Sequence, residues 1–332
     1  MSEDGRKPVV KRNGPGRIDV HCHFIPDFYR DALLAAGISK PDGIGRIPDW
    51  SEDAGLAALN DIGVHHAYLS ISSPGVNFSD PAANRILARR VNEEGARLHR
   101  AHPDRISYFA SLPFGAVGEA LEEAIRAFDE LDAAGVVLTS NTGGIYLGDE
   151  KLAPLLSELD KRKAILFVHP TSPHTACSCC AGHDVSLGYP RPMIEFLFET
   201  TRSVVDFVLS GHAARYRNIR LIVPHAGAVL PLVASRVDLL GKVFGHTRDD
   251  HIMHDALKTM YFDLAGMPLP DMLPALLKVA DPGKLLFGSD FPFTPLVECT
   301  RNALALDDAL GELGLASQTM RDNPSVLFGR CY

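Results

Sequence analysis

The stretch Arg17–Pro26, RIDVHCHFIP, sets two imidazoles one residue apart at the end of an apolar run. In an extended strand side chains alternate faces, so His21 and His23 share one face and Cys22, a packing residue, takes the other. Two imidazoles on one face of a strand end become a metal-binding pair when other ligands converge on them. Standing alone, one could equally cap the strand and the other satisfy a core hydrogen bond. Further candidates lie far down the chain: AILFVHP ends in His169, IRLIVPHAG reaches His225, and KLLFGSDFPF carries Asp290. With 14 histidines spread over 332 residues, chance does not readily put a His or Asp behind four separate apolar runs. Three neutral imidazoles and one carboxylate suit a borderline divalent ion, zinc first, with manganese or iron tolerated. His21, His23, His169 and Asp290 as ligands leave a position for water or substrate. His225 is then left beside the metal, free to handle protons near pH 7.

Something must bring these residues to one place. Short β-branched runs predict eight strands, at Ile18–His21, His66–Ile71, Ile106–Ala110, Val136–Thr139, Ile165–His169, Ile219–Pro224, Met260–Leu264 and Lys284–Gly288. Amphipathic stretches between them predict helices, among them Pro81–Ala101, Val117–Ala133, Lys151–Lys163, Arg191–Gly211 and Leu230–Phe244. In AIRAFDELDAAGVVLTS the helical spacing of three and four runs to a stop at Gly135, followed by a buried strand. Strict strand–helix alternation means a parallel sheet covered by helices, and eight such units predict a closed (β/α)8 TIM barrel. An open doubly wound sheet is disfavoured because no Gly-rich phosphate fingerprint follows the first strand. Barrel chemistry sits at the C-terminal ends of the strands, where the His and Asp residues fall. The extra length is assigned to the loops Phe24–Trp50 and Thr171–Pro190.

Bulk composition narrows the function classes. A 46% hydrophobic, 22% charged chain is ordinary for a globular protein. The net charge of −8, without a Lys/Arg stripe, argues against a nucleic-acid partner. No apolar run approaches the roughly 20 residues of a membrane span. Residues 1–16, polar and lacking an apolar centre, read as a disordered lead-in rather than a signal peptide, leaving 17–332 as one catalytic barrel. Six cysteines in this length do not make a disulfide framework, so a reducing cytoplasm is expected.

In this order DVHCHFIPDFY, FASLPF, RKAILFVHPTSP, LIVPHAG and LLFGSDFPF span nearly the whole chain. They resemble the amidohydrolase-superfamily decarboxylases, which include aminocarboxymuconate-semialdehyde decarboxylase and the non-oxidative aromatic acid decarboxylases. With LSISSPG and GIYLGDEKLAPLLSELDKRKAILFVHPT, the look is nearest the 6-methylsalicylate decarboxylase subgroup. The resemblance implies a single metal: superfamily members with two usually carry a modified lysine at the end of strand four, where this chain has Thr139-Ser140-Asn141. It also implies a substrate-carboxylate role for Arg46, whose fork would suit that anion; a solvated loop arginine is the other reading. Trp50 is read as a loop anchor. Phe291 and Phe293 either wall an aromatic pocket or belong to the core. The chain departs from the family in Ala226-Gly227-Ala228, where Gly-Gly is common after the histidine. It departs again in HTACSCCAGH, where His174, Cys177, Cys179, Cys180 and His183 form either a second, structural zinc site or a mobile lid of adventitious cysteines.

The function so implied is loss of CO2 from an aromatic hydroxy-acid. Carboxylate and phenolic oxygen would lie on the metal, Asp290 would protonate the ring carbon, and His225 would polarise the phenolic oxygen or relay protons. The same site fits a second chemistry, since a metal lowers its bound water's pKa to roughly 7 and the hydroxide could open a lactone or ester. A non-catalytic metal-binding barrel is a third. The implied partners are a small aromatic acid and, in a homodimer or homotetramer, further copies of the chain.

Overall fold

The computed structural model describes residues 16–115, 117–174 and 188–332; the lead-in, apart from Gly16, and Cys177, Cys179, Cys180 and His183 lie outside them. Eight strands form the frame: β1 (Arg17–His23), β2 (Val64–Ser70), β3 (Ile106–Ser111), β4 (Gly135–Thr139), β5 (Ile165–His169), β6 (Arg220–Val223), β7 (Tyr261–Asp263) and β8 (Leu285–Leu286). They run parallel in the order β1 to β8. A bridge between Asp19 and Phe287 joins the last strand to the first, with Val20 N donating to Phe287 O at 3.0 Å. The expected (β/α)8 TIM barrel is therefore the fold.

Two apolar layers hold it together. Ile18, Val20, Phe109, Phe167 and Ile222 fill the barrel interior, while the outward side chains pack under the helices. The segment after β8 closes the N-terminal end. Leu327 joins the interior, Phe328 stacks on Tyr68 with ring centroids 3.6 Å apart, and the Tyr332 hydroxyl meets that of Tyr68. Asn323 Nδ2 donates to Leu285 O at the start of β8, and Arg330 to Pro103 O ahead of β3. The chemistry is thereby confined to the opposite rim.

The structure corrects several boundaries. The Phe24–Trp50 loop contains a helix, Asp27–Ala35, and a turn of 3-10 helix, Pro41–Gly43. The helix expected over Val117–Ala133 spans Val117–Asp129 and leaves through Asp132 at φ 53° rather than through Gly135. Gly135 instead opens β4, where an added Cβ would lie 2.6 Å from Ile165 O, so packing rather than turning requires it. The helix expected over Arg191–Gly211 is broken: a 3-10 turn at Arg191–Met193 precedes Glu195–Leu209. Pro190 and Pro192, which lack amide protons, mark that break. Among the described residues no helix is long and apolar enough to cross a membrane.

Candidate metal centre

The inward turn of His21 and His23 comes from a defect in β1. Ile18 and Val20 point into the barrel, so plain alternation would send Cys22 inward and both histidines out. Pairing with β2 instead runs Asp19 to Ala67 and Cys22 to Leu69, one extra residue on β1. Such a β-bulge re-aims the side chains beyond it. Cys22 accordingly joins the outer apolar layer, and His21 packs edge-on to the interior ring of Phe167.

Across the seam, Asp290 N donates to His21 O at 2.7 Å and His23 N to Phe291 O at 2.7 Å. That pairing carries Asp290, four residues beyond β8 and at φ 59°, against the end of β1. His169 ends β5. The ligand atoms of His21, His23, His169 and Asp290 all lie within 4.8 Å of one another, and the three histidines are buried.

Hydrogen bonding decides which nitrogens face the centre. His21 Nδ1 donates to Asp263 Oδ2 at 2.9 Å, His23 Nδ1 to Ser70 O at 3.2 Å, and His169 Nδ1 to Pro170 O at 2.7 Å. With every Nδ1 committed as donor, the Nε2 lone pairs turn inward, as second-sphere partners arrange in metal sites. Yet His21 Nε2 and His23 Nε2 are 3.1 Å apart, and His23 Nε2 is 3.1 Å from Asp290 Oδ1. Two lone pairs and a carboxylate oxygen at that spacing repel unless a cation stands among them. This donor set therefore fits a divalent ion.

The protonation tendencies agree. Burial opposes a charge on His21, but Asp263 and Asp290 outweigh it and push its pKa up to about 10. Burial would also raise the Asp290 carboxyl, yet the adjoining His21 and His23 rings hold it well below the usual carboxylate range. Burial, with neighbouring imidazoles, lowers His23, and drives His169 further below the ordinary imidazole value. One anionic carboxylate, two imidazoles kept neutral and a third that attracts positive charge make a cation site.

Asp263, at the end of β7 in YFDLAG, was not found from the sequence. It is fully buried, and its Oδ1 accepts from His225 N at 3.0 Å and Ala265 N at 3.0 Å while Oδ2 takes His21. One carboxylate thus orients a ligand and fixes the backbone of the free histidine. Asp263→Asn should weaken metal affinity about 10–100-fold, read by competition with a chelator; an unchanged affinity would remove Asp263 from this role.

His225 stands two residues past β6, at φ 54°, on a left-handed run through Ala226, Gly227 and Ala228. Its ring lies 5.0 Å from that of His21, and its Nδ1 is buried without a partner among the described residues. Burial, then the neighbouring His21, lowers its pKa, so it enters as a neutral imidazole. Gly266, at φ 69°, leaves room for it: a Cβ there would lie 2.5 Å from His225 Cδ2. Gly266→Ala should keep the metal but lose about 10²-fold in turnover by displacing that ring, measured as kcat beside metal content; full activity would show that the ring's place is not critical.

These residues open into a cavity of about 380 Å³ lined by His169, His225 and Asp290 with Phe196, Met193 and Phe293 among its apolar walls. Phe293 packs edge-on to His23 at 5.5 Å. Phe291 does not line the cavity; it packs on the outer core. Nor does Arg46: its side chain is 81% exposed and faces Asp49 at 3.6 Å, because the loop turns the neighbouring Ile47 inward instead. Trp50 packs against the core beside Phe24. His174 is exposed and outside the cluster. Asp238, His251 and His254 group elsewhere, but both Asp238 oxygens are taken, by Met253 N at 2.7 Å and His254 Nδ1 at 2.5 Å, which clamps a helix start.

The chain is 36% identical over 331 residues to the 6-methylsalicylic acid decarboxylase acuB of Aspergillus aculeatus, across 95% of this chain and 96% of that protein. It is 33% identical over 287 residues to the 6-methylsalicylic acid decarboxylase of Penicillium expansum, across 84% and 86% of the two chains. The crystal structure of 5-carboxyvanillate decarboxylase from Novosphingobium aromaticivorans, complexed with manganese and 4-hydroxy-3-methoxy-5-nitrobenzoic acid, superposes with a TM-score of 0.82 over 96% of this chain and 97% of that one. At 20% identity that last likeness speaks for the fold. The amidohydrolase family pattern runs from residue 18 to residue 330, through every one of the converging side chains, and the chain belongs to that family.

Proposed function

We propose that this protein is a carboxy-lyase, a metal-dependent, non-oxidative decarboxylase of an aromatic hydroxy-acid of the 6-methylsalicylate kind. The observation that carries the reading is the convergence of His21, His23, His169 and Asp290 on one point beside a cavity of about 380 Å³ that His169 and Asp290 line, a size for a single substituted ring. Relatives named as 6-methylsalicylic acid decarboxylases, alike over 84% or more of the chain, support the choice of substrate class.

The three Nε2 atoms and Asp290 Oδ1 would hold one divalent ion, zinc first and manganese as the alternative. Such an ion supplies Lewis acidity toward the substrate's carboxylate and adjacent phenolic oxygen. The chain's own residues account for the protons. Asp290 carries the proton that replaces the carboxyl group: taken up from solvent to balance the ionised substrate, it passes from an Asp290 carboxylate oxygen to the ring carbon bearing the carboxyl group. His225, neutral by burial, accepts the phenolic proton at its ring nitrogen and returns it when the product leaves. A C–H bond forms, the C–C bond breaks, CO2 departs, and the electron pair restores the aromatic ring. Phe196 and Phe293 keep the ring dry, which suits a reaction needing no attacking water. Buried free thiols at Cys22 and Cys299 accord with a cytoplasmic setting, and the family resemblance supports a homodimer or homotetramer.

The test is a panel of ortho-hydroxybenzoates, 6-methylsalicylate first, run in D2O with zinc- or manganese-loaded protein. The expected result is CO2 release, lost on chelation, and a product with one deuterium at the vacated carbon. Hydrolysis of a lactone or ester, with no CO2 from any benzoate, would overturn the reading.

A further inference from the structure

The cavity carries a second acidic group that neither metal binding nor the proton steps use. Asp42 sits in the 3-10 turn Pro41–Gly43 with left-handed backbone, φ 52° and ψ 25°, and is 8% exposed. It lines the same cavity as His169, His225 and Asp290. Its Oδ1 accepts from the Ser172 hydroxyl, which ties it to the loop after β5. Its Oδ2 is buried and has no hydrogen-bond partner among the described residues. A carboxylate oxygen left bare in this way costs free energy unless a donor reaches it. No Lys or Arg lines the cavity among the described residues.

Resting on the decarboxylase reading, we propose that Asp42 is a specificity-determining residue. Its Oδ2 accepts a hydrogen bond from a hydroxyl on the ring away from the reacting carboxylate, and its charge rejects a second carboxylate there. The favoured substrate class is thus a hydroxylated aromatic monoacid rather than an aromatic diacid. A donor to a charged acceptor is worth about 10–100-fold in binding, and a like charge in the same place costs at least as much.

The experiment measures, on metal-loaded protein, calorimetric affinity for salicylates bearing either an extra ring hydroxyl or an extra ring carboxylate. Kinetics on the same set follow. Wild type should prefer the hydroxyl-bearing ligands by 100-fold or more. Asp42→Asn retains an acceptor for Ser172 and tolerates positive φ, and Asp42→Gly accommodates the same backbone without any carboxylate. Both should shrink the preference at least 10-fold. An unchanged preference in either folded, metal-loaded variant overturns the proposal, as does wild type binding diacids equally well. Because the affinity ratio needs no turnover, it judges Asp42 even if no ligand loses CO2, an outcome that would count against the decarboxylase reading alone.

Discussion

His23→Ala should leave a folded protein that holds no metal and turns over at least about 10³-fold more slowly, the loss expected when several kcal/mol of charge stabilisation disappear. His23 Nε2 lies 3.1 Å from both His21 Nε2 and Asp290 Oδ1, so no other ligand atom can take its place in the ring of donors. Folding should survive. The barrel interior of Ile18, Val20, Phe109 and Phe167 lies below the site and is packed without it, and deletion of one imidazole relieves the crowding of lone pairs. Metal per chain by elemental analysis, beside a thermal melt, checks the prediction. One metal per chain and full rate in the variant would dismiss His23 as a ligand. His21→Ala should behave alike, with the added consequence that Asp263 Oδ2 loses the His21 ring while Oδ1 keeps its two backbone donors.

His225→Ala should do the opposite, keeping one metal per chain while losing 10²–10⁴-fold in kcat, the usual worth of a positioned acid–base group. Its ring approaches His21 edge-on at 5.0 Å, yet its ring nitrogens are not among the converging ligand atoms. The backbone is fixed independently, through His225 N and Asp263 Oδ1, so removal of the ring need not move the ligands. Metal content and kcat measured on one sample separate the two functions. Loss of the metal with the ring would make His225 a ligand and require a different proton carrier.

The strands and the rim positions of the histidines were legible because β-branched runs and a period of two are local signals. What lay beyond reach came from pairing across the sheet. Alternation puts His21 and His23 on one face, but which face is decided by an extra residue in the β1–β2 ladder, visible only when β2 is beside it. Asp263 ends a three-residue strand and reads as an ordinary acidic residue until its oxygens meet His21 and His225, 242 and 38 residues back along the chain. YFD carries the same local cue as the other strand ends, an acidic residue closing an apolar run. The role of Arg46 rested on resemblance alone, and the loop holds that side chain in solvent. Asp42, four residues earlier on the same loop, is illegible for the converse reason: nothing in PDGIGR marks a buried acid.

The account stands or falls most directly on a metal titration of chelated protein, with CO2 release from 6-methylsalicylate as the readout. One ion among His21, His23, His169 and Asp290 predicts no release at zero equivalents, a linear rise, and a sharp break at one metal per chain. Full release from the chelated protein, or a break at two, would contradict it.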